Sequence, residues 1–205
     1  MKQKILMAML VCCLFGCKKN DTDITQGQQN LVGEWILTYD ESPTEYTYLK
    51  NTGGSGTPLY RDKILKTYDL AQLAVDADCE VRIKSMGSAN NKETYTIQSA
   101  KKMERWWIVT FVNNANNPEG FVRISGGSIT EPPCGGSPTD CDDWKFFLHR
   151  MPAVNGIITA AIESVKYPGW YVSSQPATFQ YASNLLTVQK YSGVDKATKF
   201  QFRRK

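Results

Sequence analysis

Short runs of β-branched and aromatic residues, each closed by Gly, Pro, Asn, Asp or Ser, follow one another from Trp35 to Arg203 and leave few architectures open. Within the runs apolar and polar residues alternate, so each segment has one face to bury and one to spare. Read this way, the chain has twelve strands, near 35–40, 45–50, 59–66, 79–86, 94–100, 106–112, 120–125, 144–150, 158–165, 169–174, 185–190 and 199–204. Helical periodicity is almost absent. Only Tyr68 to Asp76 (YDLAQLAVD) spaces its apolar residues for two turns, and no firm cap precedes it. The expected class is all-β.

The strands fall into three sets of four, repeating at roughly 50–65 residues. Each set begins with a strand that runs into a polar segment: WILTYD then ESPTE, YTIQSA then KKMER, AAIESV then KYPG. Each continues with an aromatic-rich strand, EYTYLK, WWIVTFV or GWYVSS, and closes on an alternating strand with basic residues, EVRIKSM, WKFFLHR or KFQFRRK. Thr67–Asp78 and Gly126–Asp143 look inserted before the closing strands of sets one and two. A framework with fixed core strands and free surface loops accepts insertions at such a slot.

In the third set, Ile162-Glu163-Ser164-Val165-Lys166-Tyr167-Pro168-Gly169-Trp170-Tyr171-Val172 and the closing Ala197-Thr198-Lys199-Phe200-Gln201-Phe202 resemble the last repeat of β-trefoil proteins. The likeness is to the interleukin-one family and, nearly as well, to fascin-like and arabinofuranosidase-associated trefoil modules. It implies a β-trefoil over residues 31–205, twelve strands in three pseudo-repeats, with the aromatic strand after Pro-Gly packed inward. Independently of the likeness, Pro168 presets φ and Gly169 frees it, which makes a tight turn into Trp170. Set two departs from the pattern, because Met103-Glu104-Arg105 stands where Pro-Gly would be. A second resemblance, of Gly33-Glu34-Trp35 to the Gly-x-Trp opening of lipocalins, implies an eight-stranded up-and-down barrel instead. Twelve strands are too many for it.

The N-terminal stretch has its own logic. Lys2 and Lys4 precede an uncharged run from Ile5 to Gly16, the layout of a secretory signal, and this run is too short to span a bilayer. Leu14-Phe15-Gly16-Cys17 resembles the lipobox of bacterial lipoproteins, which implies cleavage after residue 16 and acylation of Cys17. Several acyl chains, each CH₂ contributing ~0.8 kcal/mol when buried, would then hold the protein to a membrane without spanning it. The following Lys-Lys-Asn-Asp-Thr-Asp resembles the export tag of surface-displayed Bacteroidetes lipoproteins, although the lysines read equally as solvated linker. The expected layout is a signal at 1–16, a lipidated tether at 17–30 and one domain at 31–205, displayed from the outer membrane as a monomer.

The chain carries 24 basic and 20 acidic side chains, and two of the basic ones, Lys2 and Lys4, leave with the leader. So balanced a surface, without a basic stripe, speaks against nucleic acid. Cys134 and Cys141 flank the loop GGSPTD in a compartment that permits disulfides, so they are the expected bridge. Cys79 opens the alternation Cys79, Val81, Ile83 and reads as a buried free thiol.

No catalytic constellation emerges. His149 is the one histidine, has no nucleophile motif beside it, and reads as a surface or strand-edge residue. Gly53-Gly54-Ser55-Gly56 lacks the Lys-Ser/Thr ending of a phosphate loop. Asp140, Asp142 and Asp143 lack calcium-loop spacing and read as a solvated turn, so neither metal nor cofactor is expected. The aromatics remain. Adjacent strand residues point to opposite faces, so one of Trp106 and Trp107, and one of Trp170 and Tyr171, is a candidate for exposure. Trp106, Tyr167 and Trp170 are the expected ligand contacts, serving a protein partner or, as the other trefoil relatives imply, a carbohydrate.

Overall fold

A computed structural model describes residues 30–50, 59–76, 79–100, 105–114, 117–127, 141–174 and 185–205. Among them are twelve strands: β1 (Gly33–Asp40), β2 (Glu45–Lys50), β3 (Tyr60–Leu65), β4 (Glu80–Ala89), β5 (Lys92–Ser99), β6 (Trp107–Asn114), β7 (Asn117–Gly126), β8 (Phe146–Val154), β9 (Ile157–Ser164), β10 (Trp170–Ser173), β11 (Thr187–Lys190) and β12 (Phe200–Arg203). Each lies within a few residues of a segment expected from alternation, and the all-β class holds.

One helix, α1 (Leu70–Asp76), forms inside the first insertion. It does have a cap, contrary to expectation. Asp69 Oδ1 accepts from the Ala71 N–H at 2.8 Å, and the Asp69 carbonyl accepts the first helical bond from Leu73. Leu73 and Ala74 bury the inner face of α1 against Ile36, Tyr48 and Cys79. Cys79 is in no disulfide and is fully buried, as its place in the alternation implied.

All the pairings are antiparallel. They run β1 to β4, β4 to β5, β5 to β8, β8 to β9, β9 to β12 and β12 back to β1. This order is not an up-and-down meander, so the lipocalin-like alternative does not describe the chain. The circuit is thinnest between β5 and β8, where Tyr95 opposite Phe146 is the one registered pair. The hairpins β2–β3, β6–β7 and β10–β11 lie outside it. β4–β5 and β8–β9 turn through Asn90-Asn91 and Asn155-Gly156, all at positive φ, where Asn and Gly are the residues that serve a two-residue hairpin.

Strand parity then builds the core. Trp35 and Leu37, Val81 and Ile83, Tyr95 and Ile97, Ile158, Ala160 and Ile162, and Phe200 and Phe202 alternate inward from five strands of the circuit, and Phe146 enters from the sixth. The hairpins add Leu49, Val109, Val122, Ile124, Val172 and Val188 to the same cluster. Each Val, Leu, Ile or Phe among them contributes about 1.5–3 kcal/mol when fully buried, so the alternation is the main energetic reason for this register.

Candidate functional site

The turn expected at Pro168-Gly169 is present and organises a partly exposed aromatic surface. The Trp170 N–H donates to the Tyr167 carbonyl at 3.1 Å, Gly169 has φ +81°, and the pattern is that of a type II turn. Two side chains brace it from β9. Glu163 Oε1 accepts from the Gly169 N–H at 2.7 Å, and Ser164 Oγ accepts from the Tyr167 N–H at 3.1 Å.

Tyr167 and Trp170 are thereby left half-buried over the main core. The Tyr167 hydroxyl accepts from the Phe111 N–H at 3.2 Å, which ties the turn to β6. The Phe111 ring is 49 % exposed, and its centroid lies 6.5 Å from that of Tyr167. Lys166 reaches Asp143 Oδ2 at 3.1 Å and stands 6.0 Å from the Tyr167 ring centre, so an ion pair rims the aromatics. Parity along WIVTFV puts Phe111 on the face of Trp107 and Val109, both core residues, so alternation alone carried no signal of its exposure.

Trp106 does not join this surface, and its expected exposure is corrected. Trp106 and Trp107 are 3 % and 2 % exposed, although they do point to opposite sides. Trp107 enters the main core. Trp106 bridges Gln98 on β5, and the Lys84 ammonium lies 5.0 Å above its ring. Neither indole N–H has an acceptor among the described residues, so both rings act by packing. Of the pair Trp170 and Tyr171, Tyr171 is the buried one.

His149 is not a free surface group either. Its Nε2 sits 2.5 Å from Glu163 Oε2, and its ring centre lies 5.8 Å from that of Tyr171. Burial, and then the Glu163 charge, push the Tyr171 hydroxyl above its ordinary pKa. One carboxylate on β9 thus takes bonds from β8 and from the turn that carries Tyr167.

Asp142 and Asp143 pair with Lys145 and Lys166, and no group of three metal-ligating side chains occurs among the described residues. Cys141 is buried in a disulfide; Cys134, its expected partner, lies outside the described residues, as do Cys17, Asp140 and Gly53-Gly54-Ser55-Gly56. Among the described residues no helix is long and apolar enough to cross a membrane.

No family model matches the chain, and no curated protein does. The chain is similar to a solved Caenorhabditis elegans structure described as a protein with unknown function, at 8 % identity and a TM-score of 0.45. The match covers 87 % of this chain and 99 % of that one.

Proposed function

We propose that this protein is a non-enzymatic binding domain of β-trefoil architecture, held at the outer membrane by lipid on Cys17, which engages a protein partner through Phe111, Tyr167 and Trp170. The trefoil reading is supported by the six-strand circuit, by the three hairpins outside it and by the matching Asn90-Asn91 and Asn155-Gly156 turns. The anchor rests on Leu14-Phe15-Gly16-Cys17.

The observation that carries the functional reading is Phe111, a large apolar ring half in solvent and seated against a half-buried tyrosine. Apolar rings clustered inside a charged rim are the usual composition of protein contact sites. A second reading, a carbohydrate-binding module, draws on Asp143 and Lys166 beside Tyr167, because a sugar needs a ring to stack on and polar groups at its edge.

The test sets the full chain against its Phe111→Ser variant, with affinity capture from envelope extracts and host secretions run beside a glycan array. The expected result is one defined protein retained by the parent and lost with Phe111→Ser, while near-UV circular dichroism stays the same and the array stays blank. A defined oligosaccharide whose capture disappears in Trp170→Ala would replace the first reading with the second.

A further inference from the structure

A cleft of about 400 Å³ opens where β1 and β9 begin and β12 ends, at the end of the circuit remote from the points where the chain leaves for β2 and β10. Its apolar lining comes from Trp35, Phe202 and Ile158 of the main core, Leu70 of α1 and Ile157, and its polar lining includes Arg203 and Arg204. Its volume is in the range of small-molecule sites.

Charge at the mouth is unevenly placed. The Arg203 guanidinium is engaged, with Nε 3.1 Å from Thr38 Oγ1, Nη2 2.7 Å from Gln201 Oε1, and the Tyr46 ring 4.3 Å away. The nearby acids are engaged too, Glu34 by Arg82 and Glu80 by Lys205. Arg204 differs. Its guanidinium lies 4.5 Å from the centre of the Trp35 ring, and it has no acidic partner among the described residues. A guanidinium resting on an aromatic ring is oriented by that contact and still has N–H donors for a carboxylate to take in pairs.

We propose that this cleft binds a small ligand with one carboxylate on an apolar body, the body lying on Trp35, Phe202 and Ile158 and the carboxylate on Arg204. The site is separate from the Phe111 surface and does not depend on it. An alkyl acid and an aryl acid offer the same chemistry, and the choice of probes distinguishes them.

The test uses the full chain and follows the indole N–H resonance of Trp35, which donates to the Leu31 carbonyl at 2.8 Å, during titration with 4-phenylbutyrate, octanoate and 4-phenylbutyramide. Saturable shifts with the acids are expected, with the neutral amide weaker by about tenfold or more. Arg204→Gln should lower the acids to the level of the amide, Arg204→Lys should keep part of the difference, and Phe111→Ser should change nothing. Whichever acid binds tighter, the carboxylate class stands, and the ranking says whether its body is alkyl or aryl. Equal binding of acid and amide, an unchanged affinity in Arg204→Gln, or no shift up to about 10 mM would each overturn the proposal.

Discussion

Trp106-Trp107 and Tyr167-Pro168-Gly169-Trp170 are the two aromatic groupings that stand out along this chain, and the fold treats them in opposite ways. The first is buried on both sides, Trp107 in the main core and Trp106 against β5 beneath Lys84. The second stays half-exposed, because a Pro-Gly turn lifts it and Glu163 and Ser164 hold it there by hydrogen bonds. Alternation assigns a residue to a side of a strand. Whether that side is wet depends on what the rest of the chain lays over it.

This contrast can be broken at either end. Trp107→Ala should have the largest effect, a loss of about 3–5 kcal/mol in urea unfolding, because the cavity it leaves is enclosed by the core. An effect below 1 kcal/mol would show that the β6–β7 hairpin is not part of the cooperative unit. Glu163→Ala should follow at about 2–3 kcal/mol, since it leaves the Gly169 N–H and the His149 ring without their acceptor. It should also loosen the turn, read as faster amide exchange at Gly169 and Trp170.

Tyr167→Phe removes one hydroxyl and the bond from the Phe111 N–H, for about 0.5–1.5 kcal/mol. Phe111→Ser should stay within about 0.5 kcal/mol of the parent, as expected of a surface group whose worth lies in binding. If Phe111→Ser were as damaging as Trp107→Ala, the two aromatic regions would be one core and the docking surface would vanish.

Two buried tyrosines elsewhere in the core add a titration. Burial first, and then the hydrogen bond to Glu93, push Tyr95 up to about 12, and burial and then the Asp62 charge do the same to Tyr48. Both are raised above the ordinary value of 10.0, so the fold favours the neutral phenol. Their contribution to stability is complete below pH 10 and is lost as pH climbs from there toward 12. Absorbance of tyrosinate should therefore place Tyr95 and Tyr48 among the late-ionising residues of the native protein, released on denaturation, and Tyr95→Phe should remove one of them.

Much of the fold was legible because strands and tight turns are local. Period-two alternation located all twelve strands, Pro168-Gly169 marked its own turn, and Cys79 was recognisable as core from Val81 and Ile83 after it. Where reading fell short, the deciding partner was distant in sequence or was itself a weak signal. Asp69 reads as an ordinary acid until its side chain closes back on Ala71. Nothing near His149 announces Glu163, fourteen residues on and brought alongside only by the pairing of β8 with β9.

The candidate site divides along the same line. Tyr167 and Trp170 could be named from their turn, whereas Phe111 enters through a bond that spans fifty-six residues, and Trp106 leaves because β5 and Lys84 cover it. The amino-acid order by itself determined which segments extend, where they reverse and which side of each is apolar, since backbone sterics and side-chain parity act between neighbours. Tertiary structure alone decided which outward faces are roofed, which carboxylate receives the imidazole, and that Trp35 and Arg204 meet at the mouth of a cleft. Those outcomes depend on strands from opposite ends of the chain arriving side by side, as β1 and β12 do.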